Sequence, residues 1–312
     1  MTKATHLDGT EAYAVAMAAV TRFWPGWPGE HGELLPLKSL SKPLRATPFR
    51  VTGGEQPAVI KVWGPGNAAK AAAQASRQNT VAKAMAQGAF RAVPVLGFDP
   101  DRTALLMPDI PGNTFETIAQ DRPETVTDLA EKAGVWLRVF HALSLRPAPF
   151  RPAGHKAWLD KLVAQTRDGQ RNIPDPAHFC ACAQHISNSA MHLRKRPATK
   201  AVTHRDLTFG NLILDETGTV WGIDFENDRE DEPLRDVFSL GIDLHVHGSQ
   251  GAFDTLKRAY GDTLTDPQVK AFLMSCFSLG LWANTPAVPS KRHAKRLKAA
   301  QSMIQQNQHL VG

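Results

Sequence analysis

The chain has 312 residues, 42% of them hydrophobic and 21% charged, and its 36 basic and 30 acidic side chains leave a formal charge of +6. That length predicts two domains or one two-lobed unit rather than a single small domain, and so mild a basic excess favours encounter with anions without marking a nucleic-acid binder. Residues 1–20 have no basic segment leading into an apolar core, and the longest apolar stretch, 271–283, falls short of the ~20 residues of a bilayer span, so neither a signal peptide nor a membrane span is expected.

In chain order, an amphipathic helix is predicted over 10–22, then a loop at "WPGWPGEHG" (24–32), where Pro-Gly pairs cannot continue a helix. Strand-like segments follow at 49–52 and, after a "GGEQP" turn, at "AVIKVW" (58–63). An Ala-rich helix is expected over 67–87, and "AVPVLGFD" and "TALLMPD" each read as a strand. The stretch "MPDIPG" (107–112), with two prolines and a glycine, suits a short stiff connector. Beyond it the pattern predicts helices over 124–143, 155–166, 176–194, 236–247, 252–260, 266–282 and 290–307. The basic run "KRHAKRLK" (291–298) reads as the solvated face of the last helix, opposite Ala294, Leu297, Met303 and Ile304, with no aromatic residues interleaved to stack nucleic-acid bases.

The three cysteines, Cys180, Cys182 and Cys276, are odd in number, and two of them stand as Cys-Ala-Cys in a helical context. They read as buried free thiols of a reducing cytoplasm. A zinc site from Cys180, Cys182 and His178 lacks a fourth ligand at zinc-like spacing. His245 and His247 stand two apart in a helix, so they point to different faces and read as core or surface residues.

One stretch breaks the helical pattern. "THRDLTFGNLILDETGTVWGIDFEND" (203–228) reads as a loop, a strand, a turn at "DETG" and a returning strand. It places Asp206, Asn211 and Asp224 at intervals of five and thirteen, with Asn211 opening one strand and Asp224 ending the other. Phosphoryl transfer needs a carboxylate near the attacking hydroxyl, hard oxygen ligands for Mg²⁺ and a cation on the non-transferred phosphates. Folding the hairpin back on itself brings Asn211 and Asp224 close enough to share a metal. Singly, each residue is an ordinary turn former or cap; the three together at these intervals are not explained that way.

The run His204-Arg205-Asp206-Leu207-Thr208-Phe209-Gly210-Asn211 resembles the H-x-D-x-x-x-x-N catalytic loop of kinase-fold phosphotransferases, and Ile223-Asp224-Phe225-Glu226 is similar to the metal-binding segment of the aminoglycoside phosphotransferase and choline kinase family. The resemblance extends over roughly 40–245. It implies an α+β, bilobal protein-kinase-like fold: a small β-rich N-terminal lobe (1–107), a hinge (108–112) and a larger helical C-terminal lobe (113–312). It implies Asp206 as catalytic base, Asn211 and Asp224 as Mg²⁺ ligands, and Lys61, on its strand, as the cation on the α- and β-phosphates. It implies that the Pro108 carbonyl and the Ile110 N–H hold the purine of ATP, with GTP as the alternative. It further implies structural roles for His204 and for Asp236 in "PLRDVFSLG", and a packing role for His141 in the helix at 129–143.

Two features depart from the family pattern. Between Leu40 and Val51 there is no glycine, so either Ser41, Lys42 or Thr47 contacts the nucleotide through its side chain or the loop is more open. The helix glutamate that fixes the phosphate-binding lysine is replaced, by alignment, with Gln78, and the helix holds no acidic residue. A neutral carboxamide accepts a weaker hydrogen bond from Lys61 than a carboxylate does.

The carboxylates Asp224, Glu226, Asp228, Glu230, Asp231, Glu232 and Asp236 face only Arg229 and Arg235 within their own segment. Such a run is by default a solvated loop. The sharper expectation is that Glu226, Glu230 and Asp231 line the acceptor site and favour a cationic hydroxyl compound such as an amino alcohol or amino sugar. The function expected is transfer of the γ-phosphate of ATP to a hydroxyl of a small molecule: a choline-like alcohol, an amino sugar or a sugar. A degenerate nucleotide-binding scaffold and a protein kinase stay open; the absence of D-F-G and A-P-E segments speaks against the latter.

Overall fold

The structure, a computed structural model, describes residues 6–247 and 250–311; residues 1–5 of the N-terminal stretch lie outside it. The chain packs as two compact units: the residues up to Thr114 with Asn211–Asn227, and Phe115–Gly210 with the residues from Asp228 onward. Elements are numbered along the whole chain.

The first unit opens with α1 (Gly9–Phe23), capped reciprocally by Asp8 and Glu11: the Glu11 N–H donates to Asp8 at 2.8 Å, and the Asp8 N–H to Glu11 at 3.1 Å. Five antiparallel strands follow in the order β1-β2-β3-β6-β5. They are β1 (Leu34–Pro36), β2 (Ala46–Val51), β3 (Ala58–Trp63), β5 (Gly97–Asp99) and β6 (Ala104–Pro108). Both faces of this sheet are covered, which is why β3 reads as a continuous apolar run. Ile60 and Val62 pack with Ala12, Ala16 and Ala19 of α1, while Trp63 and, across the ladder, Leu105 pack with Ala71 and Ala75 of α2 (Ala68–Ala84).

A second sheet has the order β4-β11-β10-β7, from β4 (Phe90–Ala92), β7 (Gly112–Thr114), β10 (Leu212–Asp215) and β11 (Val220–Gly222). The hairpin expected from the sequence is β10–β11, and Asp215 builds its turn by accepting from the N–H groups of Thr217 and Thr219, both at 2.9 Å. "AVPVLGFD" is not one strand. It contributes to β4 and β5, which belong to different sheets, and Pro94 between them has no N–H to continue a ladder.

The second unit holds α3 (Phe115–Asp121), α4 (Val126–Ala142), α5 (Ala153–Arg167), α6 (Pro176–Ser189), α7 (Leu234–Val246), α8 (Gln250–Tyr260), α9 (Pro267–Ala283) and α10 (Lys291–Val311). It also holds a three-stranded sheet that the helical pattern does not predict: β8 (Arg146–Pro149) and β12 (Glu230–Asp231) flank β9 (Pro197–Val202). These strands are short, prolines begin β9 and punctuate β8, and acidic residues make β12, so none carries an alternating signature. Cys180, Cys182 and Cys276 are buried free thiols. Among the described residues no helix is long and apolar enough to cross a membrane.

Helices α4 and α8 meet at Gly134, where a methyl group would lie 2.5 Å from the Leu256 carbonyl oxygen and 2.8 Å from the Ala259 Cβ. Glycine-to-alanine in an exposed helix interior gains about 1 kcal/mol. Here the sign reverses, because backbone must move: Gly134→Ala is expected to lower stability by about 1–3 kcal/mol, read from the denaturant midpoint.

Candidate active site

In the first unit the alternation of β3 turns Lys61 toward α2, on the same face as Val59 and Trp63. The side chain is buried, at 6% exposure, which overrules a solvent-facing strand lysine. Its ammonium donates to Asp224 Oδ1 at 2.7 Å and to Gln74 Oε1 at 3.2 Å, lies 3.7 Å from Glu226 Oε1, and sits 5.0 Å from the Trp63 ring centre. Gln74 Nε2 also donates to Asp224 Oδ1, at 3.1 Å. Lysine, carboxamide and carboxylate thus close a triangle.

The carboxamide beside Lys61 is therefore Gln74, and not Gln78. The two lie four residues apart on one face of α2, so both are buried, but Gln78 sits a turn further along and donates to the Val93 carbonyl at 2.8 Å and to Met107 Sδ at 3.3 Å. The spacing could not choose between two glutamines one turn apart.

Asn211 closes a short 3₁₀ turn (Phe209–Asn211) rather than opening β10, and Asp224 lies two residues beyond β11. The Ile223 N–H donates to the Asn211 carbonyl at 3.1 Å, so the hairpin brings the two segments together at its open end. Asp224 has φ of 67°, a left-handed conformation that a carboxylate side chain tolerates better than most.

Pro108 ends β6 opposite Ala58, and the Asp109 N–H donates to the Pro57 carbonyl at 3.0 Å. Ile110 packs, with Val59 and Ile223, against the apolar cluster that contains Met107 and Trp63. Ser41 and Lys42 are exposed, and the Ser41 hydroxyl faces that of Ser39 at 3.0 Å; Thr47 is buried inside β2.

In the second unit the loop 203–210 is pinned at both ends by carboxylates of α7. Asp236, fully buried, accepts from the His204 N–H at 2.6 Å and from the Arg205 N–H at 2.8 Å. Asp243, seven residues and about two turns later on the same helix face, accepts from the Phe209 N–H at 3.0 Å. Asp206, exposed, lies between these anchors. The clamp also holds Arg205 at φ of 69°, a conformation that costs an arginine about 1–3 kcal/mol unless its surroundings impose it. Asp243 escaped the sequence reading; its spacing from Asp236 was the available signal.

His141 is more than a packing residue. Its Nε2 lies 3.1 Å from Asp236 Oδ2 and its Nδ1 2.9 Å from the Tyr260 hydroxyl. Burial pushes the Asp236 carboxyl up, but the hydrogen bond and charge of His141, with the charge and N–H of His204, outweigh it and hold the group below its usual range. Burial pushes the Asp243 carboxyl up, against the Phe209 N–H and the charges of Arg296 and Arg292.

The acidic run is not a bare negative surface. Within the first unit Glu226 meets Arg45 at 3.3 Å, and within the second Glu230 meets Arg146 at 2.5 Å. Asp231 is held by Arg205 and Arg235, each at 3.0 Å, and the nearly buried Glu232 by Lys200 and by His155. His245 and His247 diverge, one to the Gly241 carbonyl and the other onto the Phe209 ring.

Residues 37–273, most of the chain, match the phosphotransferase enzyme family. The chain belongs to that family. Among solved structures, this chain is similar to a choline/ethanolamine kinase family protein from Mesorhizobium loti, at 19% identity over 96% of this chain and 99% of the other, with a TM-score of 0.58. It is similar to a macrolide 2′-phosphotransferase from Brachybacterium faecium, at 15% identity over 94% and 98% of the two chains, TM-score 0.59. It is also similar to a thermostable mutant of an aminoglycoside phosphotransferase in ternary complex with ADP and hygromycin B, at 14% identity over 89% and 94%, TM-score 0.55. These likenesses establish the bilobal α+β kinase-like fold. A search of curated proteins found no match.

The lowered Asp236 pKa fixes a sign. A carboxyl depressed by folding adds stability above its unfolded value of about 3.9, and that stability is lost as pH falls through the folded value. Asp236→Asn is expected to cost about 2–4 kcal/mol at neutral pH and to flatten the acid limb of the stability curve below pH ~4, measured by urea titrations across pH.

Proposed function

We propose that the chain transfers the γ-phosphate of ATP to a hydroxyl of a small molecule. The observation that carries this reading is the Lys61–Gln74–Asp224 triangle, because a buried lysine held in one direction is what contact with nucleotide phosphates requires. Membership of the phosphotransferase family supports it, as does the ADP in the structure of a relative.

In this reading Asp206 orients the acceptor hydroxyl and takes its proton, on a loop whose backbone is prevented from drifting by Asp236 and Asp243. Lys61 meets the α- and β-phosphates. The 108–110 backbone, beside the apolar surface of Val59, Met107 and Ile110, holds the purine. Ser41 and Lys42 are exposed and available to phosphate, in place of a glycine loop.

Asn211 and Asp224 would hold Mg²⁺, and the donor chemistry fits: a carboxamide and a carboxylate oxygen are hard ligands on adjoining segments. Among the described residues no three His, Cys, Asp or Glu side chains form a metal cage. When bound, such an ion offsets phosphate charge and polarises the γ-phosphoryl group.

Asp206→Asn is expected to reduce turnover by about 10²–10⁴-fold with nucleotide affinity retained. Gln74→Leu is expected to weaken nucleotide binding about tenfold, whereas Gln78→Leu leaves it unchanged. Calorimetric titration with AMP-PNP and Mg²⁺, beside nucleotide turnover against a panel of hydroxylated metabolites, reads both. Nucleotide binding without transfer to any acceptor would favour a scaffold.

A further inference from the structure

The second unit contains a cavity of about 960 Å³ whose wall includes Arg151, Lys200, Arg205, Arg235, Arg292 and Arg296. Arg205 immediately precedes Asp206, so this space adjoins the catalytic loop. The "KRHAKRLK" run is therefore not wholly a solvated face: Arg292 and Arg296 turn to the cavity.

The carboxylates nearby do not balance the wall. Asp231 and Glu232 line it and are already engaged, Asp231 by Arg205 and Arg235, Glu232 by Lys200 and His155. Arg292 lies 3.4 Å from Glu116 and Arg296 lies 3.5 Å from Asp243. Six cations against these four carboxylates leave two positive charges in excess. Part of the wall is rigid and apolar. Phe277 and Phe238 are nearly buried, the Arg235 guanidinium lies 4.8 Å from the Phe277 ring centre, and Trp158 stands over Gly280. Guanidinium groups fixed by carboxylates and rings are pre-organised for oxyanions, which they meet through paired N–H donors.

We infer that the acceptor is an anion: a hydroxyl compound bearing carboxylate, sulfate or phosphate on an apolar or ring body, held in this cavity. The inference rests on the phosphotransferase reading, deepens it, and replaces the cationic acceptor expected from the acidic run. Arg205, Arg235 and Lys200 set the anion's position, while Arg151 and Arg292, both exposed, supply charge at the rim.

The test is a charge series on one skeleton: glucosamine, glucose, glucuronate and glucose 6-phosphate, with trisulfonated hydroxypyrene as a fluorescent ring anion. Binding is measured by calorimetry and fluorescence with the nucleotide site saturated by AMP-PNP and Mg²⁺. Affinity is expected to rise from cation to dianion, to fall with added salt, and to weaken about tenfold per charge removed in Arg151→Ser and Arg292→Ser, with AMP-PNP affinity unchanged. Equal or tighter binding of the neutral or cationic sugar, no effect of the two substitutions, or no anion binding at millimolar concentration overturns the inference. If anions bind as expected but neither they nor the wider panel are phosphorylated, and Asp206→Asn changes nothing, the phosphotransfer reading fails instead.

Discussion

Buried carboxylates of α7 that accept backbone N–H groups are the constraint on which the second unit depends. Asp236 and Asp243 satisfy donors at both ends of the 203–210 loop in an interior where an orphaned N–H is costly. A helix is a rigid ruler, so fixing both ends of the loop to one helix fixes its length and curvature. The Asp236–His141–Tyr260 chain ties that ruler to α4 and α8. Those helices can approach closely because Gly134 has no side chain at their crossing.

The first unit solves a different problem with the same chemistry. A lysine is rarely buried without partners. Lys61 is buried because α1 and α2 cover both faces of its sheet, and its charge is met by Asp224, Gln74 and the face of the Trp63 ring. The helix side offers a carboxamide rather than a carboxylate, so the direction of the ammonium rests mainly on Asp224. One carboxylate then orients the lysine and also stands as the candidate metal ligand.

Charge in the second unit is distributed as pairs along a wall rather than as a net acidic patch. Read along the chain, 224–236 is acidic and 291–298 is basic. In space the acidic residues are matched by Arg235 of the run itself and by Arg146, Arg205 and Lys200 from distant segments, while α10 adds Arg292 and Arg296 to the cavity wall. The sign of the cavity is thus opposite to the sign of the nearest stretch of sequence.

What the sequence determined by itself was local: the H-x-D-x-x-x-x-N run, the hairpin turning on Asp215, the helix periods, and the apolar run that carries Lys61. Each depends on residues within about one element of each other, where turn chemistry and hydrophobic period decide. Only the tertiary structure decided that Gln74 rather than Gln78 meets Lys61, that Asp243 joins Asp236 under the loop, that Pro94 divides one apolar run between two sheets, and that arginines outnumber carboxylates around the cavity. Those outcomes turn on which face a neighbouring helix presents and on partners scores of residues away, and neither quantity is encoded in any single window of the chain.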